Sequence, residues 1–121
     1  MNDNKIELTQ EDLDMGGYIL SILKSQPTIL MSWGFQSPAM VRLGLRFKVS
    51  GFKLKGTVEI KYNEGADLFD LTFYNADGTV HNTLDGVYFD ELVEVIDLEV
   101  ERVENYKERV SEEYHFLSIE E

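Results

Sequence analysis

The stretch FDELVEVIDLEVERVENYKERV, residues 89–110, repeats its apolar side chains at intervals of three and four. Phe89, Leu92, Val93, Ile96, Val100, Val103 and Val110 fall on one face of a helix that turns about 100° per residue. Such a face is stable only when buried, so the spacing predicts a long amphipathic helix packed on the rest of the domain. Another face carries Asp90, Glu94, Asp97, Glu101, Glu104 and Glu108, continued by Glu112. These recur at three and four, so they form one carboxylate stripe. Like charges at that spacing repel by about 0.2–0.5 kcal/mol per pair. Asp90 and Glu91 suit the positive end of the helix dipole, whereas Glu108 and Glu112 sit near the wrong end. The plain reading is a solvated outer face. The sharper one is a surface that binds something basic.

Upstream of this helix the period changes from 3.6 to 2. Val41, Leu43, Leu45, Phe47 and Val49 alternate with Arg42, Gly44, Arg46, Lys48 and Ser50, which predicts a strand over 39–50. Leu54, Gly56, Val58, Ile60 and Tyr62 alternate with Lys55, Thr57, Glu59 and Lys61 in a second strand. Phe69, Leu71 and Phe73 alternate with Asp70, Thr72 and Tyr74 in a third. Asn75-Ala76-Asp77-Gly78 reads as a hairpin turn, returning into a short edge strand over 79–84. Asp85-Gly86 then turns the chain towards the last helix. Further upstream, TILMSWGF, residues 28–35, is apolar enough for a strand covered on both faces. Trp33 is expected in the core.

The N-terminal segment starts a helix at Thr9, a capping residue followed by acid in the first turn. Leu13, Leu20 and Leu23 share a face, broadened by Ile19 and Ile22, and Pro27 ends the segment. Gly16 and Gly17 inside that helix imply a close approach to a sheet, or a break. The resulting fold class is α+β. It has an N-terminal helix, an antiparallel sheet of four or five strands, and a long C-terminal amphipathic helix packed on one face of the sheet. Residues 1–121 form one domain, and the acidic tail 111–121 is expected to fray.

At 121 residues, with 43% hydrophobic and 12% aromatic content, the chain has the composition of a folded domain despite a net charge of −12. The charge is uneven. Residues 26–63 carry six basic residues against Glu59 alone, whereas residues 64–121 carry seventeen acids against Arg102, Lys107 and Arg109. With helices on one sheet face, the other would carry Arg42, Arg46, Lys48, Lys55 and Lys61, so the domain would be polarised. The absence of cysteine removes disulfides, thiolate zinc sites and a cysteine nucleophile. Residues 1–14 have no apolar segment of signal length, and no run approaches membrane-spanning length, so a cytoplasmic protein without membrane contact is expected.

No catalytic constellation stands out. His81 and His115 have no metal-ligand spacing, and His81 with Asp85 lacks an evident nucleophile. The serines lack an elbow context, and the glycines form no phosphate-binding loop. We therefore read the chain as non-catalytic, with no cofactor and no metal.

The runs SWGF (32–35), GFKLKGTVEIKYNEGADLFDLTFYNADGTV (51–80) and GVYFDELVEVID (86–97) resemble a small protein family of gut bacteria and their mobile elements. The resemblance covers about residues 32–97, implies no activity, and marks no residue as functional.

The expected function is a protein-binding or regulatory module that uses the basic sheet face or the acidic helix stripe. One alternative is an acidic nucleic-acid mimic that inhibits a DNA-binding protein, its carboxylates standing in for phosphates. A second is a homo-oligomeric structural protein, the sheet of one copy on the helix of the next. Direct nucleic-acid binding, with Tyr74 or Phe52 stacking on bases, is opposed by the net charge.

Overall fold

The computed structural model describes residues 7–102. Two helices come first, α1 (Gln10–Lys24) and α2 (Pro27–Ser32). Five strands follow: β1 (Gln36–Val41), β2 (Gly44–Ser50), β3 (Lys55–Asn63), β4 (Leu68–Asn75) and β5 (Val80–Val87). A 3-10 turn at Phe89–Glu91 leads into α3 (Leu92–Val100). The strands form one antiparallel meander in the order β1-β2-β3-β4-β5. The fold is α+β, as the periodicities predict. No described helix is long and apolar enough to cross a membrane.

Alternation along the central strands builds the core. Leu45, Phe47 and Val49 of β2, Val58 and Ile60 of β3, and Phe69, Leu71 and Phe73 of β4 are buried against the helices. Ile19 and Leu23 of α1, and Leu92, Ile96 and Val100 of α3, close over them. Trp33 is fully buried, its ring stacked 6.3 Å from that of Phe47.

Helix α1 starts where the capping pattern places it. Thr9 Oγ1 accepts the Asp12 N–H at 3.1 Å, and Asp12 Oδ2 accepts the Thr9 N–H at 2.8 Å, a reciprocal box. Its buried face differs from the leucine face expected: Asp12, Gly16, Ile19 and Leu23 point inward, and Leu13 is exposed. Gly16 permits the contact with the sheet. A Cβ there would stand 2.1 Å from Met40 Sδ and 2.9 Å from the Gly44 carbonyl oxygen.

Four expectations are corrected. TILMSWGF is not a strand: Pro27 occupies the first turn of α2, and Leu30 and Trp33, three apart, both turn inward. A short apolar run has no period that separates strand from helix. Residues 39–50 are not one strand but the end of β1 and all of β2, joined by Arg42 and Leu43, with Leu43 at φ 50°. Val41 pairs with Gly44 across that turn. Asp85-Gly86 does not turn the chain. It forms a bulge inside β5, where Phe69–Leu71 faces Leu84–Val87, and the Gly86 N–H reaches Asp70 Oδ1 at 3.1 Å.

The last correction concerns the long helix. With the 3-10 turn it runs from Phe89 to Val100, and Glu101 leaves helical geometry at φ −124°, ψ −51°. The loop after β2 terminates it. The Lys53 and Leu54 N–H groups bond to the Val100 carbonyl at 2.8 and 3.2 Å, and Lys53 Nζ donates to the Leu98 carbonyl. Phe89 is exposed rather than part of the buried face. Val103, Val110 and the tail 111–121 lie outside the described residues.

Candidate functional site

The described helices pack on one face of the sheet, and none of them covers the other. Strand register sorts that second face into rows. Lys48 pairs with Thr57 and Thr57 with Tyr74, so one row crosses β2, β3 and β4. The next row is Arg46, Glu59, Thr72 and Thr83. A third is Gly44, Lys61 and Asp70. The period-2 pattern of the sequence therefore does place Arg46, Lys48, Lys55 and Lys61 on one surface.

Arg42 is the exception. It sits in the β1–β2 turn rather than on a strand, because the two-residue hairpin interrupts the alternation at this point. Its charge contributes to holding the Asp12 carboxyl low rather than to the sheet face.

Within the first two rows the charges are not equivalent. Arg46 Nη2 donates to Glu59 Oε2 at 2.7 Å, and the Glu59 side chain is only 11% exposed. The arginine is thus largely engaged by a carboxylate beneath it. Among the described residues Lys48, Lys55 and Lys61 form no ion pair, so these three carry the accessible positive charge of this face. A groove of about 390 Å³ lies along the first row, walled by Arg46, Lys48, Thr57, Tyr74 and the β4–β5 turn. Gly78 of that turn has φ 92°, and Asp77 Oδ1 accepts both the Thr79 hydroxyl at 2.7 Å and its N–H at 3.0 Å. Those two bonds hold the Asp77 carboxyl below the usual range. One wall of the groove is therefore a fixed turn, and the strands beside it offer the Thr57 and Tyr74 hydroxyls, the Tyr74 ring and the Lys48 ammonium group.

The acidic stripe divides. Asp90 and Glu94 are exposed. Asp97 is turned into the structure, accepting Trp33 Nε1 at 2.8 Å and Arg102 Nε at 3.1 Å. Glu101 is buried, and its Oε1 accepts the Phe52 N–H at 2.9 Å. These two acids join α3 to the α2–β1 connection and to the β2–β3 loop; they are not part of a solvated row. Glu104 and Glu108 lie outside the described residues. Glu99 Oε2 accepts Asn82 Nδ2 at 2.9 Å, a bond that ties β5 to α3, and His81 Nε2 stands 3.6 Å from the same oxygen. Among the described residues no group of three His, Asp or Glu side chains could hold a metal ion.

Sequence reading missed Asp12, and it missed a second concavity built from Tyr18, Tyr62, Asp67, Tyr88 and Phe89. These five are scattered over 71 positions of the chain and share no period. The available signal is weak: Tyr88-Phe89 directly before an acidic helix start.

Comparison with family models, with curated proteins and with solved structures finds no match to this chain.

Proposed function

We propose that this chain is a non-catalytic binding module that takes an acidic protein segment on the uncovered face of its sheet. The observation that carries the reading is the Lys48–Thr57–Tyr74 row beside its groove, with Lys61 one row beyond the Arg46–Glu59 pair. Ammonium groups without an ion-pair partner attract carboxylates over about a Debye length, roughly 8–10 Å at moderate salt. Hydroxyls of Thr57 and Thr72 and the Tyr74 ring supply orientation and contact area. The helix stripe is a poorer candidate, because Asp97 and Glu101 already serve internal bonds.

The test is fluorescence anisotropy of a labelled ten-residue oligo-glutamate peptide against the full chain, at low and at high salt. Binding should weaken with salt, and the double variant Lys48→Glu, Lys61→Glu should weaken it by about tenfold or more, since two attractive charges become repulsive. Unchanged binding in the double variant would overturn the proposal. So would single-stranded RNA binding more tightly than the peptide, which would make this a nucleic-acid surface.

A further inference from the structure

A second cleft, of about 400 Å³, lies between α1 and the connection from β5 to the 3-10 turn. Tyr18 of α1, Tyr62 of β3, Tyr88 of the connection and Phe89 at the start of the 3-10 turn line it, over Phe69 and beside Asp67. Tyr18, Tyr88 and Phe89 are 47%, 57% and 55% exposed. One half-exposed aromatic on a surface is ordinary; three converging on one concavity form an apolar patch of the kind that marks a binding site.

The geometry of the polar wall is fixed. The Tyr62 hydroxyl donates to Asp67 Oδ1, and the Tyr62 ring packs on Phe69 at 5.5 Å with a tilt of 56°. Asp67 sits in the left-handed region at φ 58°, its N–H bonded to the Asn63 carbonyl at 2.8 Å. Asn63 Oδ1 accepts the Ala66 N–H at 3.2 Å, which closes the same loop. The carboxylate is therefore presented by a locked turn, not by a mobile side chain.

The cleft's electrostatics have one sign. Among the described residues no lysine, arginine or histidine lines it. Asp67 and nearby Glu64 act on Tyr62 as negative charges, and with the bond to Asp67 as the largest cause they hold the phenol protonated. Aromatic faces carry the negative lobe of the ring quadrupole, so rings and carboxylate favour the same kind of ligand.

We propose that this cleft binds a methylated ammonium group, the quaternary ammonium ion being the best fit. An anion would meet Asp67 and Glu64. A neutral apolar ligand would leave the Asp67 carboxylate desolvated without a counter-charge. A primary ammonium is strongly hydrated and gains little from apolar walls such as Phe69 and Met15. Methyl groups on nitrogen satisfy the rings, and the spread positive charge satisfies the carboxylate. The site is independent of the sheet face, which lies on the opposite side of the sheet.

The experiment is a ring-proton NMR titration of the full chain with choline chloride and with its neutral isostere, 3,3-dimethylbutan-1-ol. Choline should shift the Tyr18, Tyr88 and Phe89 ring resonances and bind at least about tenfold more tightly than the isostere. Asp67→Asn keeps an oxygen for the Tyr62 hydroxyl and tolerates the left-handed backbone, so the fold should persist. It should weaken choline about 3–30-fold and leave the isostere unchanged. Tyr18→Leu should weaken choline by a similar factor. Equal affinity for choline and the isostere would overturn the proposal, as would no ring shifts at tens of millimolar choline. An Asp67→Asn variant that loses both ligands alike would also overturn it, because the carboxylate would then have only a structural role.

Discussion

The Asp12 carboxylate accepts the Thr9 N–H through one oxygen and the Leu43 N–H, at 2.9 Å, through the other. It thereby joins the start of α1 to the β1–β2 turn, where Leu43 holds an unfavourable positive φ. The bond from the Thr9 N–H is the largest influence on its acidity and lowers its pKa. Burial opposes it; the Leu43 N–H, the Thr9 hydroxyl and the Arg42 charge act with it, and the net shift is downward. A carboxyl with a folded pKa below its unfolded value, about 3.9, adds stability above that pH and loses it as pH falls through the folded pKa. Asp12→Asn should therefore lower the urea midpoint at pH 7, and the gap to the parent protein should narrow by pH 3. Asp77 shifts in the same direction, so the variant should keep part of the acid slope. An equal gap at both pH values would contradict this assignment. Trp33 makes a simpler case. It is fully buried, stacked on Phe47 and bonded through Nε1 to Asp97. Trp33→Ala should cost about 3–5 kcal/mol in equilibrium urea unfolding. The burial of Trp33 was legible from its residue type. The role of Asp12 was not, because an acid in a first helical turn looks the same whether it faces water or accepts a bond from a distant hairpin.

At the scale of elements, period carried the reading as far as it ran without interruption. The alternation in β2, β3 and β4 is regular, so core and outer faces were legible there to the residue. It failed at two places where a backbone with positive φ carries the geometry. Leu43 turns the β1–β2 hairpin, and Gly86 makes the β5 bulge; an apolar residue and an Asp-Gly pair announce neither. The helix over 89–110 was overextended for a similar reason. Its apolar spacing continues past Val100, but the stop comes from Lys53 and Leu54 of a distant loop, which no local pattern encodes. The paired glycines of α1 offer a sharp check. Among the described residues nothing lies within 4 Å of where a Gly17 Cβ would stand, whereas Gly16 would place one 2.9 Å from the Gly44 backbone oxygen. Gly17→Ala should stabilise the protein by about 0.5–1 kcal/mol, the helix-propensity difference. Gly16→Ala gains the same propensity but must push α1 away from the sheet, so it should be net destabilising. Thermal unfolding of the two variants should move in opposite directions. A rise in both would mean that α1 does not approach β2 as closely as described.

For the whole molecule, charge is the organising quantity. The basic middle of the sequence supplies α2 and strands β1 to β3, whereas the acidic remainder supplies α1, β4, β5 and α3, so the sheet carries acids such as Asp70 and Asp85 beside its lysines. What sequence could not show is which charges are available. Arg46 is paired with Glu59, and Asp97 and Glu101 are bonded inward, so three of the eleven site residues chosen by spacing are engaged within the chain. Lys48, Lys55 and Lys61 carry the available charge of the sheet face, and the proposed binding depends most on Lys48 and Lys61, which flank the Arg46–Glu59 pair.

The most direct test of that reading is a backbone amide NMR titration of the full chain with the oligo-glutamate peptide, mapping which residues move. Shifts should concentrate at Arg46, Lys48, Thr57, Lys61 and Tyr74, with α1 and α3 silent. Shifts confined to the helical side, or none at saturating peptide, would contradict it.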